Sequence, residues 1–278
     1  MWAIPLNKKK YSYHPLVEFL YFFSVLFITF VSFNAISLAL SFVGSFLFMC
    51  KRKGIKDTLL FFIKTVPVFL LFSLINPLFN HRGITTLAIL PDGNPLTKEA
   101  VFFGIAAGAM VFNAIVWFSN MSDILTEEKI VYIFGLILPK GALLLSMSFR
   151  FIPLMKESYG KILATRKLLG EKGILLYKNC LLILFNRFFE GSIITSDSMC
   201  SRGYDTGRRT SYNIFILKKR DIFTIAVLVL LFLLIFLGLK NIRAVYYPYF
   251  KLNIDIKEYI LLFLLFVLIP LGRGLYYE

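Results

Sequence analysis

Apolar residues fill this chain in long runs, and the places where the runs stop predict its elements. Val17 to Cys50 is a stretch of 34 residues interrupted by one charge, Glu18. One helix of that length would run roughly 50 Å at ~1.5 Å per residue, against a hydrocarbon core of about 30 Å. The stretch therefore predicts two short spans turning near Ser32–Asn34, with one long tilted helix as the alternative. Lys51–Lys56 is a basic loop. Leu59 to Phe79 predicts a third span containing Pro67 and a break at Asn76-Pro77, with Lys64 snorkelling back to the interface.

Asn80 to Lys98 is polar, and Pro91-Asp92-Gly93-Asn94-Pro95 is strong turn chemistry. Thr97 before Lys98-Glu99-Ala100 is a plausible helix start, opening a fourth span to about Met121. Ser122-Asp123 and Thr126-Glu127-Glu128 form a second cap-like start. The acids there are expected to complement the positive end of a helix rather than to catalyse.

From Lys129 to Arg220 the apolar residues fall in helix-period stripes broken by charges. Pro139 and Pro153 are expected to break or kink the helices, and Gly170, Gly173 and Gly203 to stop them. Two amphipathic helices result, near Pro153–Leu169 and Ile174–Met199. In the second, Leu181, Leu184, Phe185, Phe188 and Phe189 share a face, with Asn179, Asn186, Arg187 and Glu190 elsewhere. Ile222 to Leu239 predicts a fifth span and Tyr259 to Leu271 a shorter sixth. The expected fold is all-α: a polytopic helical membrane protein of about six transmembrane helices with long amphipathic cytoplasmic helices. Its regions are 1–121, the interfacial segment 122–220, and 221–278.

Composition agrees with a membrane chain. Of its 278 residues 58% are hydrophobic and only 17% charged, against ~25% charged in soluble proteins. Disordered chains lack such a load of aliphatic and aromatic residues. Lys8–Lys10 precede an apolar run too long for a cleavable signal, so the start is expected to be a signal-anchor.

Charge then sets the orientation. The net charge is +15. With six spans and a cytoplasmic N-terminus, 24 basic residues fall inside and six outside, as cytoplasmic loops require. The C-terminus is then also cytoplasmic. Residues 140–220 carry 15 basic and five acidic side chains. Such a segment suits either an anionic lipid surface or a protein-docking platform. Its bases are spaced along apolar helices, which argues against nucleic acid.

Several chemistries lack their motifs. The chain has no GxxxxGK[ST], HExxH, GxSxG or GxGxxG sequence, and it is not expected to be an enzyme or to bind a metal or cofactor. Cys50, Cys180 and Cys200 form no CxxC pair, and His14 and His81 lie far apart.

The informative segment runs from Arg150 to Tyr212. Ser201-Arg202-Gly203-Tyr204 ends a helix and leads into Asp205-Thr206-Gly207-Arg208-Arg209-Thr210. An Arg beside Gly at a helix end projects a five-donor fork where backbone can approach closely. That design suits a cationic key entering an acidic or carbonyl-lined groove.

With these neighbours, the chain resembles the transmembrane T component of energy-coupling factor transporters, the family containing the cobalt-transport permease. Ser196 to Tyr204 resembles that family's second Ala-Arg-Gly-type motif, with Ser201 in place of Ala. Ser146-Met147-Ser148-Phe149-Arg150-Phe151-Ile152-Pro153-Leu154 resembles the approach to the first. No clean Ala-Arg-Gly follows in Ile162 to Gly170, where Arg166 is the choice for the first key and Lys167 the reserve. His14-Pro15-Leu16, Phe79 to Gly83 and Leu138-Pro139-Lys140 also look like the family, so the likeness covers roughly 14–220.

The resemblance implies a non-catalytic coupling subunit of an ATP-driven uptake transporter in a prokaryotic cell membrane. Its partners would be two ATP-binding cassette ATPases, which bind the ATP, and a small substrate-binding membrane subunit that selects a vitamin, a metal ion or another solute. The ATPase-docking residues would be Arg202, Ser201, Gly203, Arg166 and Lys167. A stand-alone carrier is the alternative that uptake without nucleotide would favour. A membrane-integrated enzyme acting on lipid or isoprenoid would need activity of the purified chain on such a substrate.

Overall fold

A computed structural model describes residues 13–80, 83–89, 95–204, 215–242, 256–263 and 265. The lysines at 8–10, His81-Arg82, most of the 91–95 turn, the 205–210 basic string and most of the sixth predicted span lie outside them. Within them the chain is nearly all helix: α1 (Pro15–Val31), α2 (Ala35–Lys53), α3 (Ile55–Phe79), α4 (Lys98–Ile124), α5 (Glu127–Ile137), α6 (Pro139–Leu168), α7 (Gly173–Ser201), α8 (Lys219–Ile242) and α9 (Ile256–Phe263). The chain clusters into two compact units, one of Glu127–Ile216 and one of the segments on either side.

In the first unit, α2, α3, α4 and α8 are long and apolar enough to cross a membrane. At 17 residues, α1 is shorter. The break between α1 and α2 falls at 32–34, where the turn was expected. Ser32 N–H bonds back to the Ile28 carbonyl at 2.8 Å, and the Asn34 side chain accepts from Ile36 N–H at 3.2 Å. The polar pair Ser32 and Asn34 thus closes one helix and caps the next. The other face of Asn34 is tied down as well: its amide donates to the Tyr259 hydroxyl at 2.7 Å.

The core of this unit forms around Tyr21, Phe22, Phe48 and Trp117, all fully buried. Tyr21 and Phe22 both meet the Trp117 ring edge-on, 6.2 and 6.4 Å between centroids. Beside these rings runs a polar ladder that pins α4 to α2. Asn113 donates to the Leu38 carbonyl (2.9 Å), Trp117 to the Ser41 hydroxyl (2.9 Å) and Asn120 to the Ser45 carbonyl (3.4 Å). In lipid there is no hydrophobic force between helices, so such bonds and close packing carry association. Close packing joins α3 to α4. A Cβ added at Gly104 would lie 2.6 Å from the Ser73 carbonyl oxygen, and one at Gly108 would lie 2.9 Å from that of Phe69. Gly104-Ile-Ala-Ala-Gly108 is the spacing that lets two helix backbones meet.

Some expectations change, among them the Lys51–Lys56 loop, which is the end of α2 and the start of α3 joined at Gly54. The Asn76-Pro77 step does not break α3, which runs through Pro67 and Pro77 and closes at Asn80. Pro153 likewise lies inside α6, which starts fourteen residues earlier at Pro139. Proline removes one intrahelical hydrogen bond, and a long helix held at both ends absorbs that loss. The 80–98 loop contains a short antiparallel ribbon, Thr86–Ile89 against Pro95–Thr97, that the polar composition hid. Asp123 sits at the C-terminal end of α4, not at a helix start, and forms ion pairs with Arg52 and Lys53 at the end of α2. Thr97 does cap α4, accepting from Ala100 N–H at 3.3 Å.

In the second unit, α5 ends at Ile137 and Pro139 occupies the first turn of α6. α6 and α7 pack against each other along part of their length. Leu176, Cys180 and Leu184, one helical turn apart, are the buried residues of α7, and the Phe151 and Phe188 rings meet edge-on at 6.2 Å. Of the expected apolar face, Leu184 turns inward and Phe188 is half-buried. Leu181, Phe185 and Phe189 are exposed. The stripe is wider than one packing contact can cover.

Candidate docking surface

The functional candidates sit at the C-terminal ends of α6 and α7. Each end needs partners for the last carbonyls, and each finds them by turning through a glycine in the left-handed region. At α7, Arg202 is the capping residue (φ −86°, ψ 9°) and Gly203 follows at φ 81°. Gly203 N–H then bonds to the Cys200 carbonyl at 3.0 Å and Tyr204 N–H to the Met199 carbonyl at 3.0 Å. At α6, Leu169 is the capping residue (φ −76°, ψ 1°) and Gly170 follows at φ 86°. Gly170 N–H bonds to the Lys167 carbonyl at 3.1 Å and Glu171 N–H to the Arg166 carbonyl at 3.3 Å. The two ends are the same Schellman motif, bond for bond.

That equivalence gives a register that the sequence alone hides. Arg202-Gly203 superposes in role on Leu169-Gly170, and Arg166 corresponds to Met199, one turn back. The surroundings of the two arginines differ as well. Arg202 is exposed, and among the described residues no acidic side chain pairs with it. Ser201 closes the last turn beneath it, its hydroxyl donating to the Ser198 carbonyl at 3.0 Å. Arg166 is half-buried and pairs with the Glu171 carboxylate at 2.7 Å. The second oxygen of Glu171 accepts from the Asn179 amide at 3.2 Å. Arg166, Glu171 and Asn179 therefore bracket the turn between α6 and α7. Lys167 beside them is exposed.

Other charges on α6 are partly neutralised before its end. Glu157 accepts a hydrogen bond from Lys161 one turn on, which together with the lysine's charge holds its carboxyl below the ordinary value. Gly173, expected as a stop, instead opens α7 with φ 70°.

The ends lie far apart. The α6 end abuts the start of α7, so the span between the Leu169 turn and the Arg202 turn is about the length of 29 helical residues, roughly 43 Å at ~1.5 Å each. Chemically, one end offers an exposed guanidinium, without an acidic partner among the described residues, at the tip of a long helix. The other offers a turn with exposed aliphatic side chains and exposed lysines. Sequence reasoning found Arg202 but missed Leu169, Glu171 and Asn179. The one available signal was Gly170, which marks Leu169 as the residue in Arg202's position. Neither a family model nor a curated protein matches the chain.

Proposed function

We propose that the chain is the membrane coupling subunit of an ATP-driven uptake transporter of the energy-coupling factor type, in a prokaryotic cell membrane with both termini in the cytoplasm. Two partner ATPases hydrolyse ATP and move together and apart. The α6–α7 unit carries that movement to the membrane helices, and a small membrane subunit binds and releases the solute. The chain itself catalyses nothing.

The observation that carries this reading is Arg202: an exposed arginine at the tip of a helix-end turn that two backbone hydrogen bonds hold, with no acidic partner among the described residues. The turn fixes where the arginine leaves the helix end, so no backbone freedom is lost on docking, and an arginine buried on docking is a strong anchor. The long, partly uncovered α6 and α7 and the 24-to-six partition of basic residues support it further. Ser201 and Gly203 shape the same turn, while Lys167 is an exposed cation at the other end.

The test is co-expression with two candidate ATPases. Arg202→Glu is expected to insert normally yet to lose ATPase co-purification and nucleotide-driven uptake. Full assembly and uptake in that variant would remove the docking role. Uptake by the reconstituted chain alone would replace the reading with a carrier.

A further inference from the structure

We infer that the cavity between α2, α3 and α4 binds one bilayer-dissolved molecule of a particular kind: an uncharged, single-chain alcohol whose hydroxyl donates to Asn113. The inference goes beyond the coupling-subunit reading and does not depend on it.

The shape of the site comes from small side chains set among large ones. The cavity measures about 530 Å³, within the range of small-molecule sites. It is open because alanine stands where a larger side chain would fill it: Ala35 and Ala39 on α2, Ala106 and Ala109 on α4, each pair about one turn apart. Phe42, Phe62 and Phe112, one from each helix, meet ring against ring at 5.3 to 5.8 Å between centroids and floor it. Along α4 the wall runs from Phe102 to Asn113, about 16 Å at ~1.5 Å per residue, close to one leaflet of a ~30 Å hydrocarbon core.

Asn113 identifies the occupant. It is the one polar residue in the wall and is 1% exposed. Its amide nitrogen donates to the Leu38 carbonyl at 2.9 Å. A carbonyl only accepts, so that bond fixes which way the amide faces. The amide oxygen is left buried with no hydrogen-bond partner, a costly state in hydrocarbon. Asn113 lies near the middle of α4, far from both interfaces. A charged headgroup is too costly to bring to that depth, whereas a lone hydroxyl is not once it finds an acceptor. The acyl tail of a phospholipid fills space but carries no donor. A buried water needs two to four polar partners, and the wall offers one polar side chain. A partner helix about 10 Å across would need roughly 1,200 Å³ over the same depth, about twice the space. One alkyl chain ending in a hydroxyl satisfies both the volume and the acceptor.

The experiment uses the purified full chain, without ATPases, in phosphatidylcholine nanodiscs. A hexadecanol analogue with a photoreactive diazirine on its chain is the label. Hexadecanol and its methyl ether, which keeps the chain and lacks the donor, are the competitors. Saturable labelling of peptides from 35–42 and 102–113 is expected, with the ether competing about tenfold more weakly than the alcohol. Ala109→Phe fills the cavity and should abolish the saturable labelling. Ala39→Leu, from the facing wall, should do the same and serves where the first variant fails to insert. Equal competition by alcohol and ether overturns the inference, because the Asn113 oxygen then selects nothing. So does labelling that never saturates, labelling that survives the cavity-filling variant, or a phospholipid tail that hexadecanol cannot displace. With no ATPase present, each of these results leaves the coupling-subunit reading where it stood.

Discussion

At the end of α6 the chain turns through Leu169 and Gly170; at the end of α7 it turns through Arg202 and Gly203. The backbones match in dihedral angles and in both capping hydrogen bonds. The side chains divide the labour differently. At α7 the arginine is at the tip, with no acidic partner among the described residues. At α6 the arginine is a turn behind the tip and spends its charge on Glu171. A guanidinium already paired within its own chain must give up that partner before it can bind another. Position within the motif, not mere proximity to a glycine, decides whether an arginine is available.

The largest expected effect comes from the available one. Arg202→Glu reverses the charge at the proposed anchor and should cost ~2 kcal/mol or more in ATPase binding, which is at least about 30-fold in affinity. Arg202→Lys should fall between the two, because lysine keeps the charge and loses the planar fork. Binding of purified ATPase to nanodisc-held variants reads this directly. Equal affinity for the glutamate variant and the natural chain would erase the distinction between the ends.

A smaller effect is expected at the bracket. Arg166→Ala and Glu171→Ala each break a half-buried ion pair, for which ~1 kcal/mol is a reasonable scale after solvent screening. The double variant should cost little more than either single one, since both remove the same interaction. The sign of Glu171→Ala on docking separates two roles for Arg166. As a brace, its release loosens the tip and weakens ATPase binding a few-fold. As a key in waiting, its release strengthens binding. Titration calorimetry with the ATPase opposite the Arg202 site would tell which.

Much of this comparison was legible before any coordinates. Gly170 and Gly203 mark helix ends because few other residues tolerate a positive φ there. Arg202 stands out because it precedes one of them. The Ser32–Asn34 turn follows from a run too long for one span, and Thr97 from its place before Lys98. What escaped depends on distance rather than order. Whether Arg166 is free turns on Glu171 and Asn179, which lie five and thirteen residues along and meet it only once the chain reverses. Asp123 looked like a helix-start acid because it follows a serine; its partners Arg52 and Lys53 are seventy residues away. Pro77 and Pro153 looked like breaks because proline's local cost is clear in sequence and the packing that offsets it is not. The Gly104–Gly108 spacing was in plain view and needed only to be read as a packing face.

The mildest predictions concern the backbone that the two ends share. Gly170→Ala places a Cβ where nothing lies within 4 Å, so its cost is confined to holding a non-glycine residue at φ 86°, about 1 kcal/mol. That corresponds to about a fivefold rise in hydrogen exchange at the amides of Gly170 and Glu171, which donate the two capping bonds. Gly203→Ala, at φ 81°, should raise exchange at Gly203 and Tyr204 by a similar factor. Gly170→Asn should cost less than Gly170→Ala, because asparagine tolerates the left-handed region. Matched rises at the two ends would mean that the motifs are energetically as well as geometrically equivalent, leaving Leu169 and Arg202 as the source of any difference in what they bind. A rise at one end only would show that the side chains around that turn, and not its backbone, hold it in place.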